Sequence, residues 1–117
     1  MERKEIKHEK HNFRISKRIE PKDIEGEYNI ELRIENIGKD KLENIIITDF
    51  IPSSFSMTKF ASSKAVTYEI VRVFDISELF IKVSELKSNS SVIINYNLTG
   101  SGTYPKTSPP VNILVNN

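Results

Sequence analysis

The chain has 117 residues, the size of one ordinary domain with one core. Apolar residues make up 38% and charged residues 28%, the balance of a globular domain and not of a disordered tail. A net charge of +1 argues against global attraction to nucleic acid or anionic lipid. There is no cysteine, which excludes disulfides, thiolate catalysis and cysteine-ligated metal centres.

Residues 1–12 read as a charged N-terminal arm, mobile or forming a short helix. Across the first 22 residues, Arg and Lys outnumber Glu by about four charges. MERKEIKHEK lacks the apolar core of a signal peptide. A full-length chain would then begin as a cytoplasmic protein, and an excised repeat would belong at a cell surface.

The domain proper spans 13–117. FRISKRIEP, from Phe13, reads as an edge strand ended by Pro21, which cannot continue a ladder. Tyr28, Ile30, Leu32 and Ile34 alternate with Asn29, Glu31, Arg33 and Glu35, so one face is buried and one is wet. Asn36 to Asp40 supplies a turn in which Gly38 can take positive φ. The chain resumes at Leu42, with Ile45, Ile47 and Ile51 on one face and Ile46, Thr48 and Phe50 on the other, before Pro52 stops it. Apolar residues on both faces predict a strand covered in part on both sides. The whole stretch from Tyr28 to Pro52 reads as two strands of one antiparallel sheet system.

Val66 to Phe74 predicts a strand whose buried face switches near Val71. Asp75 to Glu78 is read as a turn, and Leu79, Ile81 and Val83 as a strand ending near Leu86. After a turn at Lys87–Ser90, Val92, Ile94, Tyr96 and Leu98 alternate with Ile93, Asn95 and Asn97. Gly100 to Pro110 makes a loop, and Val111 to Val115 a last strand. About seven short strands with regular turns predict an all-β, immunoglobulin-like antiparallel β-sandwich.

Four segments, in order, resemble the surface-repeat module called the domain of unknown function 11 family. They are Ile15-Ser16-Lys17 before the turn Glu25-Gly26-Glu27, Ile34-Glu35-Asn36-Ile37-Gly38, Ile45 to Pro52 with its Asp49, and Leu86 through Leu98. The resemblance covers Phe13 to Val115. It implies a sandwich used as a spacer, stalk or docking module, often in tandem on cell surfaces. Related sandwiches also serve inside cells as the ear domains of coat adaptors.

Asn36, Gly38, Asp49 and Pro52 are the motif residues, and all four read as structural. Asp49 shares the register of Ile45, Ile47 and Ile51, pointing inward to accept hydrogen bonds from loop N–H groups. On that reading Asp49→Ala costs on the order of 1–3 kcal/mol.

Candidate chemistry is thin. His8 and His11 have the spacing of one helix face but no third metal ligand. Asp40, Glu43 and Asp49 match no calcium-loop signature, and Glu25 and Glu27 read as solvated. Gly100-Ser101-Gly102 lacks the lysine and helix of a phosphate loop, and no nucleophile has a base. Asn89 and Asn97 lie in glycosylation sequons, which chance explains in an asparagine-rich chain. No enzyme activity, metal, cofactor, small-molecule substrate or membrane span is expected. The partners expected are proteins or neighbouring domains. Two alternatives to a structural or docking module stand: an adaptor-type ear that captures an extended peptide, and contact with an anionic surface or nucleic acid through the basic arm. An exposed apolar groove beside an open strand edge separates the ear from the spacer.

Overall fold

Alternating apolar and polar residues lie in extended backbone along most of the described residues. The computed structural model describes residues 4–9, 13–101 and 112–115, the first stretch as backbone alone. Nine strands occur among the described residues: β1 Lys4–Glu9, β2 Phe13–Pro21, β3 Glu27–Asn36, β4 Leu42–Ile51, β5 Phe55–Ser62, β6 Thr67–Val73, β7 Ile76–Leu86, β8 Ser91–Gly100 and β9 Asn112–Val115. They form two sheets, ordered β1-β2-β3-β8-β5 and β6-β7-β4-β9, with every pairing antiparallel. The fold is the all-β, immunoglobulin-like sandwich that the alternation implies.

Several expectations change. Lys4–Glu9 is a strand, not a mobile arm or helix, paired with β2 from Lys4↔Ile19 to Glu9↔Arg14. That makes β2 an interior strand and not an edge. β3 and β4 are not neighbours in one sheet, because residues 37–41 cross from the five-stranded to the four-stranded layer. β5, absent from the sequence reading, pairs with β8. The turn after β6 falls at Phe74-Asp75, and Ile76 to Glu78 already belong to β7. No face switch occurs at Val71, since β6 keeps unbroken register with β7. The loop expected after Gly100 lies mostly outside the described residues.

A different break is present. The register of β4 with β7 omits Asn44 and Ser84, and Asn44 takes φ of +51°, which asparagine tolerates. On both strands the inward positions across this break are three apart: Leu42 to Ile45, and Val83 to Leu86, all buried. Two glycines meet at the far end of the five-stranded sheet. Gly26 has φ of +84°, and a Cβ there would stand 2.2 Å from Gly100 O. A Cβ on Gly100 would stand 2.1 Å from Ser54 O. Side chains at these positions would push apart three chain segments.

The core is mostly aliphatic. Ile15, Ile19, Ile30, Leu32, Ile34, Val92, Ile94 and Leu98 of one layer face Ile45, Ile47, Ile51, Leu79, Ile81 and Val83 of the other. Within it lie two charges. Lys17 of β2 and Asp49 of β4 are each 1% exposed, and Lys17 Nζ donates to Asp49 Oδ1 at 2.9 Å. The amide of Phe50 donates to the same oxygen at 2.9 Å, and the Tyr96 hydroxyl of β8 donates to Oδ2. Both carboxylate oxygens are therefore satisfied, by partners from both sheets. Asp49 does point inward as the register requires, but its partners are an ammonium, a phenol and its neighbour's amide, not a loop.

Burying two charges costs several kcal/mol per ion, and only close pairing with further hydrogen bonds offsets it. Removing one partner leaves the other buried and uncompensated. Asp49→Ala is therefore expected to lower unfolding free energy by about 3–5 kcal/mol in chemical denaturation, above the 1–3 kcal/mol of a neutral hydrogen bond. A loss under about 1 kcal/mol would show that the ion pair carries no such burden.

Candidate functional site

The outward faces of the two sheets differ. On the five-stranded sheet the outward positions are charged and cross-paired: Arg18 with Glu31 at 3.4 Å, Arg14 with Glu35 at 3.6 Å, and Arg33 with Glu35 at 3.4 Å. Asn29 and Asn97 face each other on β3 and β8 of the same sheet. This is a solvated surface.

On the four-stranded sheet two rows of side chains run across all four strands. One is Thr67, Lys82, Ile46 and Leu114; the next is Glu69, Phe80, Thr48 and Asn112. With Val71 and Ile113, all of these but Thr67 line a hollow of about 610 Å³. It is continuous, through Ile46 and Lys82, with a second hollow of about 500 Å³ at the Asn44–Ser84 break, lined also by Ala65, Val66 and Val83. Ile46, Val71, Phe80 and Leu114 give an apolar floor. Thr48 and Asn112 offer hydrogen bonds, and Glu69 and Lys82 set opposite charges in neighbouring rows. Leu114 is 62% exposed. Ile46, Thr48 and Phe50, expected under partial cover, are half-buried at this face.

β6 bounds this surface as an edge strand, and all seven of its residues are exposed. On its inward side Tyr68 stacks on Phe60 of β5 with ring centroids 4.1 Å apart, closing that flank of the sandwich. The β6–β7 turn carries Phe74, 92% exposed and held at φ of +57°. A bulky residue in the left-handed region is strained, and such strain gathers at functional positions. Val73 and Ile76 beside it are also exposed.

The residues singled out in the sequence fall elsewhere. Asn36 is 1% exposed, and its amide nitrogen donates to Asp40 O at 2.9 Å and Leu86 O at 2.8 Å. Its Oδ1 accepts from the Gly38 amide at 3.0 Å, and its backbone pairs with Asn89 N and Ser90 O. It thus stitches together the two crossings β3–β4 and β7–β8. Gly38 takes no positive φ; the positive values among the described residues belong to Gly26, Asn44, Phe74 and Asn89. Pro52 O accepts from Phe55 N at 2.9 Å in the crossing to β5.

Asp40, Glu43 and Asp49 are not brought together. Asp49 is interior, and Glu43 binds Lys41 at 3.0 Å. Glu43 and then Glu85 hold the Lys41 ammonium above its ordinary pKa. Among the described residues no three such side chains could hold a metal ion. Glu25 lies exposed in the β2–β3 turn and Glu27 opens β3. His8 sits on strand β1 opposite Ile15, so the helical spacing does not apply; His11 lies outside the described residues. Asn89 is exposed in a turn, and Asn97 is half-buried in β8 between β3 and β5. Of the basic residues near the N-terminus, Lys17 is interior, and Arg14 and Arg18 pair with glutamates. The sequence reading missed Lys17, although it shares the odd-numbered inward set with Phe13, Ile15 and Ile19.

No protein-family model and no curated protein matches the chain. Solved structures do match in shape. The mu-homology domain of yeast delta-COP-I, complexed with a Dsl1 WxWxV peptide, aligns at 14% identity and a TM-score of 0.57, over 87% of this chain and 38% of that one. A CBM3 module of Hungateiclostridium clariflavum aligns at 17% identity and 0.58, over 89% and 92%. A GH20 exo beta-N-acetylglucosaminidase of Vibrio harveyi aligns at 12% and 0.51, over 88% of this chain but 16% of the enzyme. At such identities the likeness is one of fold. The chain spans well under half of the delta-COP-I chain.

The strained turn makes a simple prediction. Phe74→Asn, which suits the left-handed region, should raise the melting temperature by roughly 2–4 °C at low protein concentration. A fall in melting temperature would mean that Phe74 supports the fold itself.

Proposed function

We propose that the chain is a non-catalytic protein-interaction module whose four-stranded sheet holds an extended apolar peptide segment. The observation that carries this reading is the hollow over Ile46, Thr48, Phe80 and Leu114, lying between the open edges β6 and β9. A spacer or stalk has no use for an apolar face of this kind, and the charged outer face of the other sheet is what such a role would give to both. An extended segment supplies side chains on alternate positions, which suits a floor whose rows repeat every second residue.

The fold neighbours fit this reading without deciding it: one is solved with a WxWxV peptide, and another is a carbohydrate-binding module. Resemblance to the surface-repeat family is compatible with it, since docking modules occur in longer chains. The basic-arm alternative rests on residues 1–12 alone, since the neighbouring cations Arg14, Lys17 and Arg18 are engaged within the sandwich.

The test is a nuclear magnetic resonance titration with extended peptides of alternating aromatic and aliphatic residues. Shifts are expected at Ile46, Thr48, Phe80 and Leu114, with Phe80→Ala weakening binding at least tenfold at unchanged melting temperature. Shifts confined to the outer face of the five-stranded sheet would refute the assignment. So would saturable binding of an oligosaccharide at the same hollow with none of peptide.

A further inference from the structure

An open sandwich has four edge strands, and each bare row of N–H and C=O groups is a template for another strand unless something blunts it. The edges here are β1, β5, β6 and β9. β1 is KEIKHE, charged or polar at every position but Ile6. β5 contains Lys59 and slips register against β8 between Met57 and Lys59. β9 is four residues long. β6, TYEIVRV, has none of these devices. It runs seven residues in unbroken register with β7, carries no Pro, Gly or Lys, and balances Glu69 against Arg72. A short, neutral, β-rich segment without proline is the kind that pairs readily with another strand.

We propose that β6 pairs antiparallel with β6 of a second copy of this chain, about a two-fold axis at Ile70. The two four-stranded sheets then become one continuous sheet. The strand's own charges choose both occupant and register. In a two-fold antiparallel pair one residue faces itself, and the residues around it face each other reciprocally. An axis at Glu69 or Arg72 sets like charges opposite, which is destabilising. An axis at Val71 leaves Thr67 and Tyr68 beyond the partner's β6. The axis at Ile70 uses the whole strand, placing Glu69 against Val71, Thr67 against Val73, and Tyr68 against Arg72. The last contact occurs twice and sets a guanidinium beside an aromatic ring.

The same axis accounts for two features that the single chain leaves unexplained. Continued by one residue, the register brings the exposed Phe74 of each copy level with Val66 of the other. Val66, with Ala65, Thr67, Asn44 and Val83, lines the hollow of about 500 Å³. A rigidly presented aromatic knob thus meets an apolar recess, reciprocally, adding area that a lone strand edge lacks. This recess adjoins the hollow over Phe80 and Leu114 proposed to hold peptide, sharing Ile46 and Lys82 with it, whereas Ile70 lines neither.

Because the chain has no cysteine, single cysteines along β6 report the register directly. Under mild oxidation Ile70→Cys should give covalent dimer in high yield. Thr67→Cys and Val73→Cys should each give little alone but cross-link when mixed. Sedimentation of the unaltered chain should show a dimer at sub-millimolar concentration, weakened at least tenfold by Ile70→Lys. Ile70→Lys should keep its low-concentration melting temperature and its peptide binding at Phe80, so failure here is distinct from failure of the peptide reading. A uniform cross-linking profile, a maximum at another position, or a monomer at all concentrations would overturn the proposal. Cross-linking of Ile70→Cys only to an added peptide cysteine would assign the edge to a foreign strand instead.

Discussion

Lys17 and Asp49 set the constraint on which the two layers depend. Aliphatic side chains attract without direction, so a core of isoleucines alone would let one sheet slide over the other at small cost. A buried ammonium and carboxylate 2.9 Å apart do not allow that. Shifting β2 by one residue would send Lys17 outward, bring Arg18 and Ser16 inward, and leave Asp49 with a charge that Tyr96 and one amide cannot balance. The pair therefore specifies the stacking of β2, β4 and β8, whatever its net contribution to stability. Asn36 does the equivalent for the chain crossings, holding Leu86 and Asp40 carbonyls that belong to different segments.

With registration fixed inside, the outer faces can differ. The five-stranded sheet covers its outer face with reciprocal Arg–Glu pairs, which bring little stability but keep it wet. The four-stranded sheet leaves Val71 and Leu114 exposed and Ile46 and Phe80 half-buried, and ends in an unblunted edge and a strained, exposed Phe74. Apolar surface kept at a cost in solubility and backbone strain argues for use. Among the described residues no three His, Asp or Glu side chains could hold a metal ion.

Much of the fold was legible from alternation. β2, β3 and β8 follow period two, broken by Lys17 in the inward set of β2 and by Ile93 in the outward set of β8, and their inward sets are largely the buried ones. β5 was not legible because FSMTKFAS slips register at Met57–Lys59, so no single period runs through it. β1 has one apolar residue and forms through pairing with β2, a non-local gain. Lys17 was hidden by its own chemistry: a lysine in an inward register position is read as polar, although its parity with Ile15 and Ile19 marks it as interior. Asp49 was placed inward by the same parity, but its partner lies 32 residues away on another sheet, which no local pattern reveals. The candidate site was half legible. Ile46 and Phe50 stood out as apolar on a second face, but whether a face is covered depends on the other layer.

The central claim is that the Lys17–Asp49 pair acts as one unit that locks the layers. A double-mutant cycle measured by denaturant unfolding, with Lys17→Met, Asp49→Leu and both together, tests it most directly. The account predicts that each single change destabilises by about 3–5 kcal/mol and that the double variant costs less than either, so that the coupling exceeds about 3 kcal/mol. Additive single effects, within about 0.5 kcal/mol, would contradict it.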